Sequence, residues 1–286
     1  MADIHHVSVV GAGQMGSGIA LVAAQAGCQV LLHDAEAARV SKALAQIGMQ
    51  LTSSVAKGRT TEGSALQTLG RITAAADLEA ASGADLVIEA VTESMPVKKA
   101  LLAKLDGICG AGAILASNTS SLSLTELAAA TRRPEQVIGM HFMNPVPVMK
   151  LVEIIRGLRT SDDVYNTVAK LAERMGKTPL EVRDFPGFVS NRVLMPMINE
   201  AVYTVYEGVA SIEAVDGVMK LGMNHPMGPL ALADLIGLDT CLAIMETLHE
   251  GFGDSKYRPC PLLRNYVAAG WLGRKSGRGF YVYEGG

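Results

Sequence analysis

Val7-Ser8-Val9-Val10-Gly11-Ala12-Gly13-Gln14-Met15-Gly16 is the stretch that decides the fold. Val7 to Val10 has the β-branched, apolar composition of a short buried strand. The glycines follow the spacing GxGxxG. Behind them Ser17-Gly18-Ile19-Ala20-Leu21-Val22-Ala23-Ala24 reads as a helix that Gly27 stops. Gln29 to His33 reads as the next strand, closed by Asp34 about 20 residues past the turn. A glycine turn between strand and helix, with an acid ending the following strand, has the layout of a dinucleotide-binding unit. Gly11 permits the tight turn, Gly13 admits a pyrophosphate to the backbone, and Gly16 lets the helix approach the strand. Gln14 and Met15 fill out this phosphate-binding turn, where a helix N-terminus offers N–H groups and a positive dipole end. Asp34 accepts hydrogen bonds from ribose hydroxyls and repels a 2′-phosphate, which favours NAD over NADP. The bland alternative is a βαβ unit whose glycine turn binds nothing; the context outweighs it.

The alternation continues outward. Residues 41–57 read as a helix with the basic tail Lys57-Gly58-Arg59, and 97–105 as another after Pro96. Residues 84–90, 113–117, 136–140, 151–155 and 178–182 read as strands, with a helix over 162–175. Apolar strands alternating with helices imply a mostly parallel sheet covered on both faces. Ligands bind beyond the carboxyl ends of such strands, and Glu93, Asn118, Ser120 and His141 fall just past those ends. Asp184-Phe185-Pro186-Gly187 breaks the pattern. Beyond it, 189–207, 211–221, 229–250 and 261–269 read as helices, with a short strand at 280–283. The expected fold class is α/β: a Rossmann-like, mostly parallel sheet domain over 1–185, then a smaller all-helical domain over 186–286.

Composition narrows the function classes. The 286 residues suit two domains, and 49% hydrophobic with 19% charged residues excludes intrinsic disorder. Mean hydropathy is +0.26, yet no apolar run reaches the roughly 18 residues of a membrane span. A soluble protein with no membrane partner is expected. A net charge of −3 gives no electrostatic support to a nucleic-acid partner. Cys28, Cys109, Cys241 and Cys260 form neither a CxxC pair nor a zinc-ligand pattern, so reduced thiols, a cytoplasmic setting and no metal site are expected. Residues 1–6 lack a basic region followed by an apolar run and do not read as a secretory leader.

Few residues here carry chemistry. Met140-His141-Phe142-Met143-Asn144-Pro145 ends a strand with a histidine, and Leu151-Val152-Glu153-Ile154-Ile155 resumes one. A strand–loop–strand path brings Glu153 back towards His141, although the residues alone do not fix the register. A carboxylate beside an imidazole raises its basicity and fixes its tautomer. A structural histidine and a solvent-facing glutamate stand as an equal alternative. Ser117-Asn118-Thr119-Ser120-Ser121 sets small polar side chains after a strand; Ser121 or Ser123 fits a helix cap better than a ligand contact. Asn191 lies in a helix with apolar neighbours, either holding a ligand or tying helices together. Lys57 and Arg59 are a solvated helix end unless the substrate is polyanionic.

Six motifs in order resemble the short-chain L-3-hydroxyacyl-CoA dehydrogenase family, most closely its bacterial members acting on 3-hydroxybutyryl-CoA. They are Gly11 to Gly16, Glu89-Ala90-Val91-Thr92-Glu93, Ser117 to Ser121, His141 to Pro145, Pro186-Gly187-Phe188-Val189-Ser190-Asn191-Arg192, and Gly273-Arg274-Lys275-Ser276-Gly277-Arg278-Gly279-Phe280. The resemblance spans essentially the whole chain. It implies NAD-dependent oxidation of (S)-3-hydroxyacyl-CoA to 3-oxoacyl-CoA, and the reverse, with His141 as base and Glu153 as its partner. It places Ser120 and Asn191 around the substrate oxygen and Asp34 on the adenosine ribose. Glu93, Lys98, Asn118, Ser120 and Asn144 surround the nicotinamide end, and Lys275 also reaches the cofactor. Coenzyme A runs along the helix bearing Lys57, with Arg59 beside it, and the helical domain forms a homodimer. Two other readings compete: a β-hydroxyacid dehydrogenase of another family, whose base is a lysine, and a non-catalytic relative that kept the NAD site. The His141 and Glu153 positions speak against the first. Intact His141, Glu153, Ser120 and Asn191 speak against the second.

Overall fold

The computed structural model describes residues 3–283. Met1, Ala2 and 284–286 lie outside them, and with them the start of the stretch read as leaderless and the end of the expected second domain. The chain divides into two compact units, Met1–Asp184 and Phe185–Gly286.

The first unit is built on eight strands: β1 (His6–Val10), β2 (Gln29–His33), β3 (Ile72–Ala74), β4 (Leu86–Glu89), β5 (Ile114–Ser117), β6 (Val137–Phe142), β7 (Leu151–Arg156) and β8 (Thr178–Arg183). They form one sheet in the order β3-β2-β1-β4-β5-β6-β7-β8. All neighbours pair in parallel except β6 and β7, which are antiparallel. Strands β4, β5 and β6 are buried at every residue. Strands covered on both faces read as near-continuous apolar runs, and these do up to the polar residues Glu89, Ser117 and His141 near their carboxyl ends. Edge strand β8 is largely exposed.

Helices α1 (Gln14–Gln25), α2 (Ala37–Ala56), α3 (Glu62–Gly70), α4 (Met95–Ile108), α5 (Leu124–Ala128) and α6 (Asp162–Arg174) connect the strands. Ile19, Ala23, Val40, Ile47 and Val168 join α1, α2 and α6 to the sheet in one core cluster. Thr61 and Ser161 cap α3 and α6 through their side chains, each such cap contributing about 1 kcal/mol. Ser123 does the same for α5 by accepting from Glu126 N.

The second unit is helical: α7 (Ser190–Tyr206), α8 (Ile212–Gly222), α9 (Pro229–Ile236), α10 (Leu238–Phe252) and α11 (Pro261–Ala268). Met195, Val202, Leu230, Leu238, Met245 and Leu263 belong to its core.

Four local expectations need correction. Residues 229–250 are two helices, because Gly237 takes φ 103°, a conformation that no helix interior contains. Residues 280–283 are no regular strand; only isolated bridges occur there. Buried Asp234 binds that segment instead, accepting Phe280 N and Tyr281 N at 2.9 Å and Tyr283 Oη at 3.0 Å. Helix α2 begins at Ala37 rather than at residue 41. His141 lies inside β6 as its penultimate residue rather than just past its end.

Candidate functional site

The glycine turn is shaped by close approach. Gly11 sits at φ 107°, and a Cβ there would meet Ala90 O at 2.5 Å. A Cβ on Gly16 would stand 1.7 Å from Gly11 O, so no larger residue fits under the helix. Gly13, at the N-cap of α1, has open space beside it and no side chain satisfying the first-turn N–H groups. Gln14 and Met15 form the start of α1. Such a cradle, open at Gly13 and lined by backbone donors, fits a pyrophosphate.

Asp34 follows β2 and braces the turn. Its Oδ2 accepts Ala12 N at 2.8 Å and its Oδ1 accepts Glu36 N at 3.1 Å. A carboxylate offers about four lone-pair positions, so each oxygen retains capacity for a ribose hydroxyl. Beside the turn opens a cleft of about 660 Å³ lined by Gly13, Gln14, Arg39, Lys42, Gln46 and Asn144, among others. Arg39, Lys42, Gln46 and Gln50 were missed in the sequence. Their spacing of three to four along α2 is the signal that places them on one helix face.

A second cluster stands at the carboxyl ends of β4 and β5. Glu89, fully buried, receives Lys98 Nζ at 2.9 and 2.8 Å, Val91 N at 3.3 Å, and a short hydrogen bond from Ser117 Oγ. Lys98 Nζ also lies 3.4 Å from Glu93. Glu93 Oε1 accepts Thr119 Oγ1 and Ser120 N at 2.7 Å and Ser120 Oγ at 3.0 Å. Burial acts to raise the Glu93 pKa, but the Lys98 charge and the bonds from Thr119 and Ser120 outweigh it and hold the carboxyl below its usual range. Asn118 Oδ1 accepts Phe142 N at 3.0 Å, tying this cluster to β6.

His141 and Glu153 face one another. The antiparallel register of β6 and β7 makes them direct partners, and His141 Nδ1 lies 2.8 Å from Glu153 Oε2. Both are buried, at 8% and 2% exposure. The contact turns Nε2 away from the carboxylate. The register left open by the sequence is thus settled, because the prolines at 145 and 147 keep the intervening loop irregular and β7 resumes at Leu151.

The remaining candidates lie on other elements. Lys57 is the exposed C-cap of α2, with Arg59 exposed just beyond. In the helical unit, Asn191 is buried in the first turn of α7. Lys275 is paired with Asp239 at 2.6 and 2.7 Å. The four cysteines are buried free thiols; burial drives Cys241 up to about 12. Among the described residues, no helix is long and apolar enough to cross a membrane.

Comparison with known proteins agrees with this layout. Residues 6–185 match the 3-hydroxyacyl-CoA dehydrogenase NAD-binding domain, and 187–283 match the 3-hydroxyacyl-CoA dehydrogenase C-terminal domain. The chain is 63% identical to a probable 3-hydroxybutyryl-CoA dehydrogenase of Bacillus subtilis, over 99% of this chain and 98% of that protein. It is 55% identical to 3-hydroxybutyryl-CoA dehydrogenase of Bradyrhizobium diazoefficiens, over 99% and 97%. Among solved structures, (S)-3-hydroxybutyryl-CoA dehydrogenase PaaH1 of Ralstonia eutropha superposes with a TM-score of 0.97 at 51% identity, covering 99% of this chain and 100% of that one. The glycine cradle, the acid after β2, and the matches across both units lead to one conclusion: this chain belongs to the NAD-dependent 3-hydroxyacyl-CoA dehydrogenase family.

Proposed function

We propose that the chain interconverts (S)-3-hydroxyacyl-CoA and 3-oxoacyl-CoA, with 3-hydroxybutyryl-CoA as a substrate, through a His141/Glu153 acid–base pair. The observation that carries this reading is the buried 2.8 Å contact between His141 Nδ1 and Glu153 at the end of the sheet where Ser120 and Glu93 lie. Bound NAD supplies the two-electron acceptor for the hydrogen on C3. His141 Nε2 takes the proton of the 3-hydroxyl, and Glu153 stabilises the imidazolium that results. In reverse the imidazolium returns that proton to the 3-oxo group. Ser120, its hydroxyl donated to Glu93, positions the substrate oxygen, and the resemblance gives Asn191 the same task.

Gly11, Gly13, Gln14, Met15, Gly16 and Asp34 are the proposed cofactor residues at the adenosine and pyrophosphate end. Glu93, Lys98, Asn118, Ser120 and Asn144 serve the nicotinamide end, and the resemblance adds Lys275. Four buried thiols fit an enzyme of the reducing cytoplasm. The deciding experiment measures NADH formation from (S)-3-hydroxybutyryl-CoA, with NADP and the free hydroxy acid as comparison arms. Turnover with NAD and the thioester, and kcat/KM falling with NADP, is expected. Equal use of NADP overturns the role of Asp34; no turnover of the thioester overturns the substrate.

Lys57 and Arg59 are proposed to meet the phosphates of coenzyme A. Replacing both with Ala is expected to raise KM for the thioester several-fold, on the order of 1 kcal/mol, and more at low salt than at high. KM for NAD stays unchanged. An unmoved thioester KM places the phosphates elsewhere.

The helical unit is the proposed homodimer surface. Val193, Val209, Val218, Leu221 and Met223 are all more than half exposed in it, and apolar surface on that scale is usually covered by a partner. Sedimentation should give twice the chain mass at micromolar concentration; a monomer there refutes this.

A further inference from the structure

Lys177 is buried, at 7% exposure, in the turn between α6 and β8. Its ammonium meets no carboxylate among the described residues. Nζ donates to two backbone carbonyls, Val146 O and, at 2.9 Å, Met149 O. A buried ammonium is ordinarily paired with an acid, because desolvating the charge is expensive. Burial does depress the Lys177 pKa below the usual lysine value, and the neighbouring Lys150 charge adds to it. An apolar residue would fill this space without that penalty.

What the cation secures is the loop between β6 and β7. Val148 N and Met149 N both return to Pro145 O at 3.0 Å, which folds the loop back on itself. That turn brings Val146 O and Met149 O together on Lys177. Thr178 N donates to Lys150 O at 2.7 Å along the same seam. On the far side the loop rests against α1: a Cβ on Gly18 would meet Val146 Cβ at 2.8 Å. The loop is therefore held between a helix that admits only glycine and a buried ammonium. Asn144, Pro145, Val146 and Pro147 line the cleft opposite Gln14, Arg39 and Lys42.

We propose that Lys177 is a positioning residue that holds the 144–149 loop as one wall of the cofactor cleft. The inference rests on reading that cleft as the place where NAD binds. Lys177 does not line the cleft itself; it acts through the carbonyls it gathers. The His141–Glu153 contact is fixed by strand register and does not depend on it. Loss of the clamp therefore weakens cofactor binding more than it slows the chemistry.

The test compares the unmutated chain with Lys177→Ala and the size-matched Lys177→Met. KM for NAD is expected to rise about tenfold, the loss of one charge-assisted contact. The same variants should keep kcat within about threefold, since acid–base geometry is untouched. Propylammonium, the fragment removed in Lys177→Ala, is expected to restore the KM, whereas 1-propanol is not. Amide exchange at Val148 and Met149 should accelerate about tenfold in both variants without cofactor, as local opening becomes easier. Unaccelerated exchange overturns the clamp. Accelerated exchange with an unmoved KM for NAD overturns the reading of the cleft. A parallel fall of kcat and kcat/KM that propylammonium leaves unchanged makes Lys177 a general structural residue and overturns the proposal. Lys177→Met carries the kinetic and exchange arms if Lys177→Ala does not fold.

Discussion

Glu153→Gln is expected to lower kcat by roughly 10²- to 10⁴-fold, the range of a positioned acid–base system. The substitution preserves shape and a hydrogen bond to Nδ1 but removes the charge. The wild-type carboxylate lies 2.8 Å from Nδ1 and is 2% exposed, so solvent does little to screen it. The imidazolium formed as the hydroxyl proton leaves then loses its counter-charge in a buried setting. KM for NAD should move little, because Glu153 sits on β7, away from the glycine turn that follows β1. His141→Ala should be at least as damaging, and the double variant little worse than either single one, because the two residues act as a unit. Steady-state kinetics on all three variants decide the matter. A kcat within a few-fold of wild type in Glu153→Gln reduces the pair to a structural contact.

The pair also shows where sequence reading stopped. Histidine at one strand end and glutamate in the next strand are visible as residues, but a one-residue slip in an antiparallel pair turns a side chain to the opposite face. The observed register pairs His141 with Glu153 directly. The opening βαβ unit was fully legible, because its glycines answer steric demands that no other residue meets: Gly11 against Ala90 O and Gly16 against Gly11 O. Strand β3 was not read at all. It has three residues, Ile72-Thr73-Ala74, with one buried, too few for a period to register.

Arg39, on the cleft-lining face of α2, was lost for a different reason. Its N-cap Glu36 makes no side-chain capping bond, while Asp34 Oδ1 accepts the Glu36 N–H. A helix started by a residue outside it carries no start signal at its own boundary, so Arg39 fell outside the expected span. Lys98 shows the opposite limit. The resemblance placed it at the nicotinamide end, but nothing in the sequence says that a lysine on α4 is 1% exposed and locked to Glu89.

That buried ion pair sets the largest stability effect expected in the first unit. Glu89 accepts four contacts, two from Lys98 and one each from Val91 N and Ser117. Glu89→Ala strands the Lys98 ammonium and removes the acceptor of Ser117, and it should destabilise the unit by about 3–5 kcal/mol. Glu93, 3.4 Å from Lys98 Nζ, offers only partial replacement, because its carboxylate is already committed to Thr119 and Ser120. Glu89→Leu combined with Lys98→Met removes both charges together and should recover most of the lost stability, since apolar replacement of a whole buried pair is often neutral. Activity should not recover with it. Without Lys98, Glu93 loses the cation that holds its pKa down, and the carboxylate that fixes Ser120 is no longer tied to β4. Urea unfolding monitored alongside NADH formation separates the two effects. A double variant that is stable but has a raised KM for NAD or a lowered kcat shows that the charges serve the site. One as active as wild type means the pair matters only for the fold, and Glu89→Ala as stable as wild type would mean that Lys98 finds another partner.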